Sequence, residues 1–264
     1  MAKTTCCFKG RGRIAVLDYA AAIAKTAGLM SVGNSPQLSV NVNETVERVK
    51  DFTTSAGGTE CSSREIDYME VTLQLKCMSL TTLVLGLHGS GEQLATAAVV
   101  SEPKVAWPGA IVPLADMPDL SKTITVTDMA TPAVPYALGT DYVITEAGSI
   151  EIPEGSTIPA PTVTAGVGQP NIKVSYQRVD QLRVQLATRP SKPVQLHFDG
   201  VNVMDGGGTA HFDLWRVQFG PAANVQMLSA DSAMLELKGE VLRDPTKPRG
   251  TAANPLSQYG TLRI

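Results

Sequence analysis

Two amphipathic strand patterns separated by a tight glycine turn constrain the fold of this chain more than any other feature. The segment runs from Lys192 to Pro221, and its turn reads Asp205-Gly206-Gly207-Gly208. Glycine reaches the positive φ values that tight hairpin turns demand and that other residues resist. The pattern predicts a β-hairpin. It contains no nucleophile, metal cluster or phosphate loop, so it indicates a structural role rather than a catalytic or binding site.

The composition favours a chain whose surface is partly covered by partner subunits. Of the 264 residues, 43% are hydrophobic and 18% are charged, whereas an average soluble domain has about 25% charged residues. A large core would lower the charged fraction in the same way. The net charge of −3 argues against binding nucleic acid by phosphate neutralisation, although passive contact with DNA is compatible with it.

No apolar run approaches the roughly 18 residues of a membrane span, so no membrane segment is expected. The N-terminus lacks the apolar region of a signal peptide, which argues against secretion. The four cysteines do not have metal-ligand spacing, and no cofactor is expected.

Period-two alternation predicts a mainly β chain. Strands are predicted over residues 11–17, 37–42, 68–77 and 233–242 and in the hairpin. Ser79 is a suitable N-cap for a helix that carries Leu80, Leu83, Val84 and Leu87 and stops at Gly89. This is the one flanking helix of the predicted fold. Residues 18–28 are compatible with either a turn of helix or a loop.

Three regions interrupt this pattern. Asn43 to Arg64 is polar and predicts a long loop, of the kind that is functional or ordered by a partner. Val99 to Leu120 is rich in proline and predicts an extended connector. Residues 122–180 contain short strand patterns with glycine and proline turns, which predict a small inserted β subdomain. The predicted core β-sandwich therefore comprises residues 1–121 and 181–264.

No residue is predicted to be catalytic. His197 and His211 flank the glycine turn, with Asp199 and Asp213 nearby, and a two-histidine, two-aspartate metal site is conceivable. Ordinary polar strand positions explain the same residues, so no metal site is assigned. Gly10-Arg-Gly12 lacks the third glycine of a dinucleotide loop.

Taken in order, these features resemble the major tail tube protein family of long, non-contractile-tailed bacteriophages, the lambda-like siphophages. The matching pieces are spread over nearly the whole chain. They are Gly10-Arg-Gly-Arg-Ile-Ala-Val16, Val32-Gly-Asn34, the region of Gly57 and Gly58, Val71-Thr-Leu-Gln-Leu-Lys76, Leu80 to Gly89, Gly139-Thr-Asp-Tyr142, Gly148-Ser-Ile150, Leu196 to Asn202, Val217-Gln-Phe-Gly-Pro221 and Leu237 to Asp244.

The resemblance implies a structural virion protein without enzymatic activity, assembled in the host bacterial cytoplasm. Its subunits would form hexameric rings, join their inner sheets into one β-barrel, and stack into a tube that conducts double-stranded DNA without binding it specifically. The implied partners are further copies of the chain, a tape-measure protein, and tail-tip and tail-terminator proteins.

The polar strand faces are the expected lining of the lumen, which would be close to neutral so that DNA slides. These positions are Gln37, Ser39, Asn41, Thr72, Gln74 and Lys76, with Glu70, Glu236, Lys238 and Glu240 as a second group. The resemblance implies that the region of residues 43–64 contacts a neighbouring subunit or ring. Its candidate residues are Glu44, Glu47, Arg48, Lys50, Asp51, Gly57, Gly58 and Arg64.

Three other interpretations remain open at this point. A tail-tip or terminator protein would share the fold but form a single ring. A carbohydrate-binding β-sandwich is disfavoured by the low aromatic content of 5%. A metal-dependent enzyme would depend on His197 and His211.

Overall fold

The computed structural model describes residues 7–53, 57–222, 225, 233–251 and 253–264, with Asp205 described through its backbone alone. The chain forms two compact units. The first combines the residues up to Gly91 with those from Val184 onward, and the second is Glu92–Arg183. The fold is mainly β, as the alternation predicts.

The strands, in chain order, are β1 (Gly10–Asp18), β2 (Met30–Ser31), β3 (Gln37–Lys50), β4 (Thr59–Leu75), β5 (Ser90–Leu94), β6 (Ala97–Lys104), β7 (Ile111–Val112), β8 (Thr125–Asp128), β9 (Val143–Ile144), β10 (Ile150–Glu151), β11 (Val163–Thr164), β12 (Val167–Gly168), β13 (Ile172–Arg178), β14 (Gln181–Gln185), β15 (Val194–Asn202), β16 (Gly208–Phe219), β17 (Leu235–Val241) and β18 (Gly260–Arg263). The α-helices are α1 (Tyr19–Ala24) and α2 (Leu80–Leu87).

One antiparallel sheet organises the first unit, in the order β2-β1-β15-β16-β17-β4-β3, with β18 also paired to β16. Strand residues alternate between its two faces. On one face, large apolar side chains are fully buried; they include Leu73, Leu75, Leu196, Leu235 and Leu237. The residues between them are polar and lie on the opposite face. The sheet therefore has one dry and one wet face, as antiparallel sheets commonly do.

The glycine-turn hairpin is confirmed. β15 and β16 pair from Val194–Val217 to Asn202–Gly208. A single 3₁₀ turn, Val203–Asp205, leads into Gly206 and Gly207, whose φ values are 64° and 88°. Both values lie in the left-handed region that side chains with a Cβ resist.

The helix after Ser79 is also confirmed. The Ser79 hydroxyl accepts a hydrogen bond from the Thr82 N–H, and the Thr82 hydroxyl accepts one from the Ser79 N–H, which completes a capping box. A Cβ built on Gly86 would lie 2.9 Å from the side chain of Leu237. The helix thus approaches the dry face of the sheet closely through a residue without a side chain.

The prediction of a single helix was wrong, because residues 19–24 form α1. The Asp18 carboxylate accepts hydrogen bonds from the Ala20 and Ala21 N–H groups, and Lys25 ends the helix in the left-handed conformation. With only six residues, α1 is too short to show the apolar period of a longer helix.

The second unit begins at Glu92, thirty residues before the predicted start of the insertion at 122. The prediction of an extended connector over Val99 to Leu120 was also wrong, because β7 and most of β6 lie within that range. β6 pairs with β13 and contains Pro103 at the edge of the three-stranded sheet β6-β13-β8, where a missing N–H is tolerated. A second small sheet has the order β7-β10-β9, and β11 pairs with β12.

Both three-stranded sheets of the second unit contribute to one apolar core. Val112 and Ile150 come from one sheet, and Val126, Ile172 and Val174 from the other. The second unit therefore has a core of its own.

Candidate functional surface

Nine of the ten residues predicted to line a lumen lie side by side in three cross-strand rows on the wet face of the first unit. Cross-strand register defines the rows, which are Gln37–Gln74–Glu236, Ser39–Thr72–Lys238 and Asn41–Glu70–Glu240. These "acid rows" alternate with the fully buried Val71, Leu73 and Leu75 on β4. The structure thus places on one surface residues as far apart in the sequence as Gln37 and Glu240.

Direct contacts connect the side chains of the acid rows. The Gln74 Nε2 donates to Glu236 Oε2 at 3.1 Å, and the Lys238 Nζ lies 3.5 Å from Glu236 Oε1. Three carboxylates and one ammonium group give the rows a net charge of −2.

Lys76 lies outside the rows. It follows the last residue of β4, and its N–H donates to the Asn34 carbonyl rather than to a neighbouring strand of the rows. The predicted strand continued to residue 77, but pairing with β17 ends at Leu75.

The same wet face continues across β15, β16 and β18, where the two histidines and two aspartates of the sequence prediction lie together. His197 is opposite Asp213, and Asp199 is opposite His211. The His197 Nδ1 is 2.5 Å from Asp213 Oδ1, and the His211 Nδ1 is 3.3 Å from Asp199 Oδ1. The imidazole rings stack with their centroids 6.0 Å apart.

Asp213, the buried member of this "histidine cluster", also contacts the guanidinium of Arg263 on β18. One carboxylate oxygen faces the imidazole and the other faces the guanidinium, so both are occupied by protein groups. Among the described residues, no group of three or more His, Cys, Asp and Glu side chains is arranged to hold a metal ion.

The predicted loop at residues 43–64 is a β-hairpin, so the loop prediction was wrong. β3 and β4 stay paired out to Lys50 and Thr59, with register shifts after Asn43 and Val49. Asp51 donates its N–H to the Gly58 carbonyl, and Gly57 and Gly58 have positive φ values. Residues 54–56 of the predicted region lie outside the described part of the chain.

The outer part of this hairpin has no dry face, which explains the missed strands. From Glu44 to Lys50 and from Thr59 to Ile66, the two strands pair with each other alone among the described strands. Glu44, Glu47, Arg48, Lys50 and Arg64 are all exposed, and Arg64 forms an ion pair with Glu44 at 2.9 Å. Phe52 is 88% exposed and Ile66 is 68% exposed. Such a surface lacks the alternation by which strands are identified.

The second unit contains a buried network of charged and polar groups whose role is structural. Asp116 accepts hydrogen bonds from Arg178, Arg183 and Gln181. Burial opposes its ionisation, but the bonds from Arg183 and Arg178 outweigh burial and hold the pKa of Asp116 below its usual value. Burial, together with the hydrogen bond to Glu102, raises the pKa of Tyr176 to about 12. These groups are paired and not poised to exchange protons near neutral pH.

A second buried carboxylate anchors the C-terminal segment of the first unit. The Asp244 Oδ1 accepts hydrogen bonds from the Tyr19 hydroxyl, the Thr246 hydroxyl and the Thr246 N–H. Burial opposes ionisation here too, and the hydrogen bonds outweigh it, so the pKa of Asp244 is lowered.

Within the described residues, no helix has the length and apolar character needed to cross a bilayer. No curated protein matches the chain. A family model matches it over residues 7–263, which is nearly its whole length, and the family is described as a protein of unknown function. The chain is therefore a member of the family "Protein of unknown function UCP028589".

Proposed function

We propose that this protein is a structural, non-enzymatic subunit of a bacteriophage tail tube. Copies form hexameric rings that stack into a tube, and double-stranded DNA passes through the lumen during ejection. The protein is then a virion component assembled in the host cytoplasm, and its partners are further copies, a tape-measure protein, and tail-tip and tail-terminator proteins.

The observation that carries this proposal is the two-faced sheet of the first unit. Its wet face presents the acid rows as one surface, while on the opposite face the apolar side chains of β4 and β17, among them Leu73, Leu75 and Leu237, are fully buried. A tube wall requires this division, because one face meets an aqueous channel and the other must be covered by protein. The net negative charge of the acid rows repels phosphate, so DNA is not held there.

The edges of the sheet support the proposal independently. β3 is the last strand at one end, and at the other end β2 pairs with β1 only at Ala15 and Val16. Unpaired strand edges favour association with other chains, and closing a sheet into a barrel removes them. Pairing of the β3 edge of one copy with the β1 edge of the next would close such a barrel.

The outer part of the β3–β4 hairpin is suited to contact another subunit. On β3 it continues for seven residues beyond Asn43, from Glu44 to Lys50, which is about 23 Å at the rise of a β-strand. It carries the exposed Phe52 and Ile66. Apolar side chains in this setting gain stability only when another chain covers them.

Electron microscopy of the purified protein tests the proposal most directly. Long tubes are the expected result. Single rings would instead indicate a tail-tip or terminator protein, and monomers that bind polysaccharide would indicate a carbohydrate-binding module.

A Gln74→Cys variant, made in a protein whose four native cysteines are replaced by serine because Cys7 and Cys61 are exposed, tests the assignment of the wet face to the lumen. We expect a small maleimide to label the assembled tube and a reagent too bulky to enter the lumen to fail. Full labelling by the bulky reagent would show that the acid rows face the outside. An Arg249→Cys variant, at an exposed position outside the acid rows, reports whether the bulky reagent reacts with exposed cysteines.

Deletion of residues 53–59 tests the role of the hairpin. Because the outer hairpin contributes nothing to the buried core, the expected product is a folded monomer that does not polymerise. Normal tubes from this variant would refute the role of the hairpin in assembly.

A further inference from the structure

The strand that begins the first unit alternates cations with glycines. Its sequence from residue 9 is Lys-Gly-Arg-Gly-Arg, and Arg11 and Arg13 share one face of β1 because strand side chains alternate. The Lys9 carbonyl accepts the Val203 N–H, so the chain already runs beside β15 at this residue. The three cations, hereafter the "cation ladder", are exposed and are spaced about 6.6 Å apart along the strand.

The glycines fix the face on which these cations lie. A Cβ on Gly12 would lie 2.2 Å from the Asp199 carbonyl oxygen, and a Cβ on Gly10 would lie 3.2 Å from the Phe8 ring. Ile14, which continues the glycine side of the strand, is buried in the core. The cations therefore lie on the wet face, the face that also carries the histidine cluster.

Only one of the three cations lies opposite a carboxylate on β15, and that carboxylate also contacts a histidine. Arg11 is opposite Val201, and Lys9 is beside Val203, so two of the three cations have apolar cross-strand neighbours. Arg13 is opposite Asp199, and that carboxylate also contacts His211.

The cation ladder is also remote from the acid rows. Three strand spacings separate β1 from β17, which is about 14 Å and exceeds the Debye length of about 8 Å at physiological ionic strength. The wet face therefore has a basic strip and an acidic strip that act separately on a solute.

We propose that the cation ladder is the part of the wet face that contacts the phosphates of duplex DNA. This inference rests on the proposed function, in which DNA moves along this face. Cations neutralise phosphates and release condensed counterions, and this attraction is independent of base sequence. Three phosphate contacts per copy give weak binding, and the acid rows repel phosphate on the rest of the face. The DNA therefore contacts one strip of the face without being bound tightly.

The test is the salt dependence of binding between the unassembled protein, in which the wet face is open to solution, and a fluorescein-labelled DNA duplex, measured by anisotropy at low ionic strength. Each phosphate contact contributes about −0.9 to the slope of log K against log salt, so R11Q/R13Q is expected to make the slope shallower by about 1.8. The K122Q/R249Q variant makes the same change in net charge at exposed positions outside the ladder and is expected to leave the slope unchanged.

The R11K/R13K variant keeps the charges and is expected to retain the wild-type slope. Circular dichroism of all variants verifies that they are folded. An unchanged slope in R11Q/R13Q, or no duplex binding by the wild type at low salt, would overturn the inference. Retention by vesicles of anionic phospholipid without binding to the duplex would overturn it as well, because it would assign the ladder to a membrane surface.

Electron microscopy of the same proteins after assembly separates this inference from the proposed function. If tubes form but DNA binding does not depend on the cation ladder, the inference about the ladder is refuted and the proposed tube function stands. If binding depends on the ladder but no tubes form, the tube function is refuted and the inference about the ladder is supported.

Discussion

The inner and outer parts of the β3–β4 hairpin have the same backbone pairing and opposite surroundings. The inner part, Gln37–Asn43 with Tyr68–Leu75, pairs with β17 and buries Val71, Leu73 and Leu75. The outer part, beyond the register shift at Asn43, pairs only with itself among the described strands and buries none of its residues fully. A two-stranded ribbon alone is marginally stable in water. The outer part therefore depends on its continuity with the inner part until another surface covers it.

The largest expected difference concerns apolar side chains on the same strand. Leu73→Ala is expected to lower the free energy of unfolding by about 2–5 kcal/mol, because it leaves a cavity in the core. Ile66→Ala, the matched change on the outer part, is expected to alter it by less than about 0.5 kcal/mol in the unassembled protein. Urea denaturation followed by circular dichroism measures both. A comparable loss in the two variants would show that the outer hairpin is packed in the monomer.

A smaller effect is expected from the buried carboxylate of the first unit. Asp244→Ala leaves the Tyr19 and Thr246 donors without their acceptor and is expected to cost about 1–3 kcal/mol. The pKa of Asp244 is lowered in the folded state, so its contribution is present above the unfolded-state pKa near 3.9. The contribution is lost as the pH falls through the folded-state value.

Denaturation midpoints measured between neutral pH and pH 3 test this expectation. The difference between wild type and Asp244→Ala should shrink on acidification. A difference that stays constant with pH would contradict the assignment, and Thr246→Val, which removes one hydrogen bond, should show an intermediate loss.

The smallest effect belongs to the outer hairpin. The exposed Glu44–Arg64 pair is expected to contribute about 0.2–1 kcal/mol in a double-mutant cycle at low salt and less at high salt, as exposed ion pairs do. A coupling energy well above this range, or one insensitive to salt, would indicate that the pair is shielded by protein.

The same contrast explains what could be predicted from the sequence. Four elements were predicted correctly: the inner strands of the β3–β4 hairpin, β17, the glycine-turn hairpin and α2. Each has one buried side, which requires apolar residues at regular intervals, and they were predicted from that periodic pattern. The outer hairpin has polar or exposed residues on both faces, so a prediction from alternation gave a loop. The boundary at Glu92 was missed because prolines suggested a connector, whereas Pro103 lies on an edge strand that does not need its N–H.

The predicted surface residues divide in the same way. The acid rows were predicted from strand alternation, and the structure brings nine of the ten residues together. Their assignment to a lumen stays a prediction. Two of the three cations of the ladder, Arg11 and Arg13, were part of the sequence resemblance, but only the register with β15 shows that their neighbours are Val201 and Asp199.

Finally, the pairing of β5 with β14 has a consequence for how the chain could evolve and be engineered. The chain leaves the first unit along β5 and returns along β14, and these strands are hydrogen-bonded neighbours, about 4.8 Å apart as adjacent strands are. A short turn could join them directly. The second unit is therefore inserted at one place in the first unit, between two chain segments that are already neighbours, which is the arrangement that domain insertions commonly have.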